Sequence, residues 1–170
     1  AHAGMDQRKI HMLVREVFPK MNWKVPVAVH HRLLPGLTKP NNNNDSQLGK
    51  MSKSDPNSGI FIHNTDNEIK KKINKAWCEE TNIQNNPLLE IERTIIFHEF
   101  KEINIERPEK FGGNISYNKY EQLEKDFSEK KLHPGDLKQT IGNYLIEIIS
   151  PIREKLNLND EIQNVIKKSY

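Results

Sequence analysis

The sequence predicts a mixed fold, with the tail of a doubly wound parallel α/β sheet over residues 1–63 and an all-helical domain over residues 64–170. Three observations carry this expectation. A glycine turn, an amphipathic helical stretch and a short β-rich stretch follow one another at the start of the chain, the order of the last units of such a sheet. The composition shifts near Asn64. Beyond that point apolar residues recur at helical spacing, and no further strand pattern emerges.

Gly4 opens the first unit. Ile10, Leu13, Val14 and Val17 recur at helical spacing and Pro19 ends the pattern, so a helix is expected over residues 6–18. Residues 25–30 (VPVAVH) read as a strand. Pro35-Gly36 then begins a long connection that holds four consecutive asparagines, residues 41–44, and closes on Lys50-Met51-Ser52-Lys53-Ser54. A connection of this length is usually functional or disordered, and the Asn run reads as an insertion. Residues 59–62 (GIFI) read as a short extended piece.

In the second region Asn64 or Thr65 caps a helix with Ile69, Ile73, Ala76 and Trp77 on one face. Pro87 suits the first position of a helix carrying Leu88, Ile91, Ile95 and Ile96. Ser116 is the expected cap of one carrying Tyr120, Leu123 and Phe127. The longest helix begins near His133, puts Leu137, Ile141, Tyr144, Leu145, Ile148, Ile149 and Ile152 on one stripe, and should kink at Pro151. Asp160 starts a last helix that buries Ile162, Val165 and Ile166.

At 170 residues, 35% hydrophobic and 29% charged, the chain is expected to be globular rather than disordered. No apolar stretch reaches bilayer-spanning length and the start AHAGMDQRK lacks a signal-peptide core, so a soluble, cytoplasmic protein with no membrane role is expected. The single cysteine, Cys78, excludes an internal disulfide and any C-x-x-C site, which fits a reducing compartment. A net charge of +3 is too small to announce a nucleic-acid binder by itself. Local runs matter more: Lys70, Lys71, Lys72 and Lys75 form one and Lys130-Lys131 another, each either a phosphate contact or a solvated helix face.

Lys50 and Lys53 place two ammonium groups three residues apart on a hydroxyl-rich loop, so both can face one polyanion such as a departing pyrophosphate. Ser52 and Ser54 can donate to phosphate oxygens, and Met51 adds a flexible apolar contact. Standing alone, the pentapeptide would read as a solvated loop. Three other blocks accompany it: Gly4-Met5-Asp6-Gln7-Arg8-Lys9-Ile10-His11 upstream, then Arg107-Pro108-Glu109-Lys110-Phe111-Gly112-Gly113 and His133-Pro134-Gly135-Asp136-Leu137-Lys138. In the first, glycine lets backbone approach a ligand closely, and the carboxylate two residues later can accept from ribose hydroxyls or cap a helix. His30, His31 and Cys78 lack ligand spacing, and no metal site is expected.

The KMSKS pentapeptide resembles the signature loop of class I aminoacyl-tRNA synthetases. In their order and separations, the four blocks resemble the C-terminal half of tyrosyl-tRNA synthetases of the archaeal and eukaryotic type, over residues 4–156. The resemblance implies the last units of a Rossmann-like catalytic domain followed by a helical anticodon-binding domain. It implies an enzyme that activates tyrosine with ATP, accompanied by Mg2+, and transfers it to tRNA(Tyr). Lys50 and Lys53 become the catalytic cations, although relatives often carry serine at the second. Gly4, Asp6, Leu34, Met51, Ser52 and Ser54 become ATP contacts, with Asp6 on the ribose and the Leu34 backbone on the adenine. Gln7 meets the tyrosine amino group. His11 either lies under the amino-acid pocket or is a satisfied structural histidine. Phe111, His133 and Asp136 correspond to positions that recognise the first anticodon base, for which an acceptor such as Asp136 favours guanine.

Arg8-Lys9-Ile10-His11 argues for the tyrosine branch by the same resemblance. The family's His-Ile-Gly-His motif is missing, so the chain is expected to be a C-terminal fragment, incomplete as an enzyme, of a homodimeric protein. The alternatives are a tryptophanyl-tRNA synthetase, which the Ser54-Asp55-Pro56-Asn57-Ser58 continuation would also suit, and a noncatalytic tRNA-binding module.

Overall fold

The computed structural model describes residues 1–39, 51, 55–156 and 165. Contacts divide the chain into two compact units, Ala1–Leu34 and Pro35–Tyr170. The boundary expected from composition lies between residues 63 and 64; the described residues from 35 to 63 fall in the second unit.

In the first unit β1 (His2–Gly4) runs into a 3-10 turn, Met5–Gln7, and α1 (Arg8–Val17), and β2 (Val29–His31) returns parallel to β1 with His2 opposite Val29 and Gly4 opposite His31. A helix bridging two parallel strands is the expected βαβ unit, with the second strand beginning four residues later than the VPVAVH pattern suggests. The shift is local. Pro26 removes a ladder donor from the first half of that stretch, and pairing starts only beyond it. No residue of this unit is fully buried, and Ile10 and Leu13 of α1 stay more than half exposed.

The second unit holds the core. α2 (Asp66–Lys75) begins at a capping box in which Thr65 Oγ1 accepts from the Glu68 N–H and the Glu68 carboxylate accepts from the Thr65 N–H. It packs along α6 (Pro134–Lys155), burying Ile69 and Ile73 against a cluster that includes Leu137, Ile141 and Leu145. Arg153 near the end of α6 closes the pair by donating to Asp66 at 2.6 Å. α6 continues through Pro151 to Lys155. α3 (Pro87–Ile91) passes into a π-helical turn, Glu92–Ile96, and then the short α4 (Phe97–Glu99), so the single helix expected from Pro87 is interrupted.

Three expectations are corrected here. The region is not all helical: β3 (Ile103–Ile105) pairs antiparallel with β4 (Ile115–Tyr117). Ser116 is therefore a strand residue that donates to Asn104 Oδ1, and α5 (Tyr120–Ser128) starts after it. Residues 59–62 form no strand, because Asn64 Oδ1 accepts from the Phe61 N–H and turns the chain into the α2 cap. The last helix expected from Asp160 lies, apart from Val165, outside the described residues. Among the described residues no helix is long and apolar enough to cross a membrane.

Candidate functional site

In the first unit the start of α1 gathers Gly4, Asp6, Gln7 and His11. Gly4 has no room for a side chain: a Cβ there would meet Leu33 Cδ2 at 2.5 Å and Asp6 Oδ1 at 2.6 Å. The Asp6 carboxylate is thus held over the turn, where its second oxygen accepts from Gln7 Nε2 at 3.1 Å. Both side chains are exposed. One turn later His11 Nδ1 and His30 Nε2 share a hydrogen bond of 2.9 Å, which ties α1 to β2. Desolvation, then the neighbouring His11 and Arg8, hold His30 below the usual histidine range. Leu34, half-buried, is the last residue of this unit.

In the second unit the pentapeptide is described only at Met51; Lys50, Ser52, Lys53 and Ser54 lie outside the described residues. What anchors Met51 is on view. Its thioether packs on Gly59, where a Cβ would come within 3.1 Å of the sulfur. Asp55 caps the turn Pro56–Ser58 by accepting from the Asn57 N–H, and the Leu37 N–H donates to the Ser58 carbonyl at 2.9 Å. Lys72 closes the arrangement from α2. Its ammonium donates to the Gly59 carbonyl at 3.0 Å and to Asn64 Oδ1 at 2.9 Å, and lies 4.7 Å from the centre of the Phe61 ring. Desolvation pushes this ammonium below its usual range, partly opposed by Glu68 and Asp55. The basic run of α2 is thus divided: Lys72 turns inward, while Lys70, Lys71 and Lys75 are exposed. Lys130 and Lys131 sit in surface ion pairs with Glu80, Asp126 and Glu129.

The downstream blocks meet. After β3 the chain turns through Glu109–Phe111 into Gly112 and Gly113, whose φ values of 95° and 70° lie in the left-handed region that suits glycine. Arg107 fixes this turn to the start of α6, donating from Nε to the Gly113 carbonyl at 2.9 Å and from Nη1 to the Lys131 carbonyl at 2.7 Å. Phe111 is left 61% exposed, with the Lys110 ammonium 4.9 Å from its ring centre. His133 caps α6 by accepting from the Gly135 N–H at Nδ1, so its Nε2 carries the ring proton in the neutral form. Asp136 stands in the first turn of α6.

Phe111 and Asp136 line one open pocket of about 470 Å³, together with Glu106, Arg107, Asn114 and Gln139. His133 is not among its lining residues. An exposed aromatic face beside a carboxylate acceptor can stack a planar ring and receive its edge donors. Sequence reasoning missed Arg107 and Lys72 as the residues that hold the two loops. Nothing in their spacing separates them from surface cations, because their partners are backbone carbonyls. Among the described residues no three His, Cys, Asp or Glu side chains converge on a metal position.

A family model described as "tRNA synthetases class I (W and Y)" matches residues 2–150. The chain is 43% identical to a tyrosine–tRNA ligase of Thermococcus sibiricus, over 98% of this chain and 50% of that protein. It is 44% identical to that of Thermococcus kodakarensis, over 95% of this chain and 48% of the relative. Among solved structures it is similar to the tyrosyl-tRNA synthetase from Pyrococcus horikoshii crystallised with L-tyrosine, with a TM-score of 0.88, 40% identity, and coverage of 99% of this chain and 50% of that one. The chain therefore spans about half the length of the curated relatives it matches.

Proposed function

This chain belongs to the class I tRNA synthetases of the tryptophan and tyrosine branch, and on that premise we propose that it forms the C-terminal part of a tyrosine–tRNA ligase. Residues 1–63 contribute the end of a Rossmann-like catalytic domain with its KMSKS loop, and residues 64–170 an anticodon-binding domain. In the complete enzyme the tyrosine carboxylate attacks the α-phosphorus of ATP and the bond to pyrophosphate breaks. A hydroxyl of the terminal adenosine of tRNA(Tyr) then attacks the adenylate carbonyl and AMP leaves.

Lys50 and Lys53 neutralise the charge that builds on the departing pyrophosphate, which lowers the barrier because that charge is greatest in the transition state. Ser52 and Ser54 add donors to its oxygens. Asp6 accepts from the ribose, the Leu34 backbone meets the adenine, and Gln7 receives the tyrosine ammonium. His11 acts beneath the amino-acid pocket, where its bond to His30 fixes its ring. Mg2+ enters with ATP, coordinated to its phosphates. Cytoplasmic location and homodimerisation of the complete enzyme belong to the same proposal and rest on the resemblance.

The observation that carries the reading is that Phe111 and Asp136, far apart in sequence, share one pocket. Phe111 stacks on the first anticodon base, and Asp136 accepts from the ring and amino donors of a guanine, with the Nε2–H of His133 as a neighbouring donor. Binding of a tRNA(Tyr) transcript by this chain tests it. Replacing the first anticodon guanine by adenine should weaken binding about tenfold or more, and Asp136→Asn should erase the difference. Equal affinity for both transcripts would remove the anticodon reading.

A further inference from the structure

We propose that Lys72 is a positioning residue for the pyrophosphate-releasing step: it holds Gly59, through Gly59 the Met51 side chain, and so the place from which the neighbouring Lys50 reaches. The inference rests on the tyrosine-activation reading above and deepens it, naming a residue outside the four sequence blocks on which that step depends.

The segments that flank the pentapeptide are mounted on α2. Just beyond the helix the Trp77 N–H donates to the Leu37 carbonyl at 2.8 Å, and the Leu37 N–H donates to the Ser58 carbonyl at 2.9 Å. The entering and leaving strands of chain are thereby tied to each other and to the end of α2. Lys72 adds a second tie from within the helix. Its ammonium meets the carbonyl of the next residue, Gly59, at 3.0 Å. Its other bond, 2.9 Å to Asn64 Oδ1, lands on the oxygen that also accepts from the Phe61 N–H at 2.9 Å. Gly59 and Asn64 are buried and Lys72 is half-buried. Met51 rests directly on Gly59: a Cβ there would lie 3.1 Å from its sulfur and 3.4 Å from its Cγ, so little slack separates the anchored glycine from the thioether.

The chemistry marks Lys72 as an anchor rather than a phosphate ligand. An ammonium has three N–H donors. Two of them go to oxygens and the Phe61 ring covers the charge at 4.7 Å, so it is engaged inside the protein, whereas Lys70, Lys71 and Lys75 are exposed. A half-buried cation carries a desolvation cost that a methionine in its place would avoid. What the cation adds is two directional, charge-assisted bonds, one of them to the carbonyl of the glycine beneath Met51. Met51 and Lys50 are neighbours in sequence, about 3.8 Å apart between Cα atoms. In the step itself a tyrosine carboxylate oxygen bonds to the α-phosphorus, and the bridging oxygen leaves with the bonding pair as part of pyrophosphate. A displacement of about 1 Å that originates away from the chemistry costs about 100-fold in such a step. Lys72 therefore acts on its rate and not on the capture of tyrosine, whose proposed contact Gln7 belongs to the other unit.

The test uses the longer enzyme that this reading implies and follows tyrosine-dependent ATP–pyrophosphate exchange at saturating ATP, with the folding of each variant checked by urea unfolding. Lys72→Met should lower kcat about 10- to 100-fold with the KM for tyrosine unchanged. Gly59→Ala leaves Lys72 in place and presses on Met51, so it should act in the same way. The double variant should lose no more than the worse single one, since both changes break one line of contact. Ile105→Val, which loosens the core of the same unit from β3, should keep the wild-type kcat. If wild type exchanges with tyrosine but Lys72→Met or Gly59→Ala keeps the wild-type kcat, or if their losses multiply in the double variant, the inference is overturned and the tyrosine-activation reading stands. A like loss in Ile105→Val would reduce the effect to stability and overturn it too. Should Lys72→Met fail to fold, Gly59→Ala alone decides. If wild type shows no tyrosine-dependent exchange, the reading beneath the inference falls, and the inference falls with it.

Discussion

Glu92 opens the π-helical turn with its carboxyl inside the helical core: it is 0% exposed, and among the described residues neither oxygen has a hydrogen-bond partner. Burial pushes it up to about 8 from an ordinary value near 4.5. The folded carboxyl is therefore protonated at neutral pH, whereas the unfolded one is ionised above about 4.5. The unfolded chain then binds fewer protons, so stability falls as pH rises from about 4.5 to about 8 and levels off beyond. Glu92→Gln should match wild type in urea unfolding at pH 4 and exceed it at pH 9 by roughly 3–5 kcal/mol. Equal stability at pH 9 would show that the carboxyl finds a partner in solution. Lys72 makes a second residue-scale prediction. Lys72→Met retains the stem and loses the donors to Gly59 and Asn64, so it should cost roughly 1–3 kcal/mol in the same assay. A surface lysine would cost almost nothing.

At the scale of elements, those with a long repeat or a chemical end-signal were legible. α2 was marked by Ile69 and Ile73 with Thr65 before them, and α6 by its apolar stripe behind His133 and Pro134. Thr65→Ala should destabilise the fold by about 1 kcal/mol, read as a shift in the denaturant midpoint at constant slope. The β3–β4 hairpin escaped because each strand is three residues long, too short for an alternating pattern to differ from chance. Its turn was seen only as part of a motif. Gly113 is buried at φ 70°, so Gly113→Ala should cost roughly 1–2 kcal/mol and lower RNA affinity as well, since the turn carries Phe111. The geometry of the candidate site was legible in the same uneven way. Phe111 and Asp136 do share a pocket, whereas His133 serves first as the α6 cap, a role its short sequence context did not separate from base recognition. The ammonium groups of the pentapeptide lie outside the described residues, so their role rests on sequence and family.

For the whole molecule, charge distribution says more than the net value of +3. Lys130 and Lys131 are engaged in ion pairs, while Lys70, Lys71 and Lys75 on α2 form none among the described residues. If α2 contacts the tRNA backbone, the double variant Lys71→Ala, Lys75→Ala should reduce the slope of log affinity against log salt by about 1.5 to 2. The corresponding change at Lys130 and Lys131 should matter less. An unchanged slope in the first variant would move the phosphate contacts elsewhere.

The chain covers about half of the tyrosine ligases it matches, so on the proposed reading the most direct measurement is ATP–pyrophosphate exchange by the longer enzyme that this reading implies. Tyrosine should support exchange and tryptophan should not, and Lys50→Ala should slow the tyrosine-dependent rate by about 100- to 1,000-fold with little change in tyrosine affinity. Exchange that depends on tryptophan, or that proceeds at the wild-type rate without Lys50, would contradict the account.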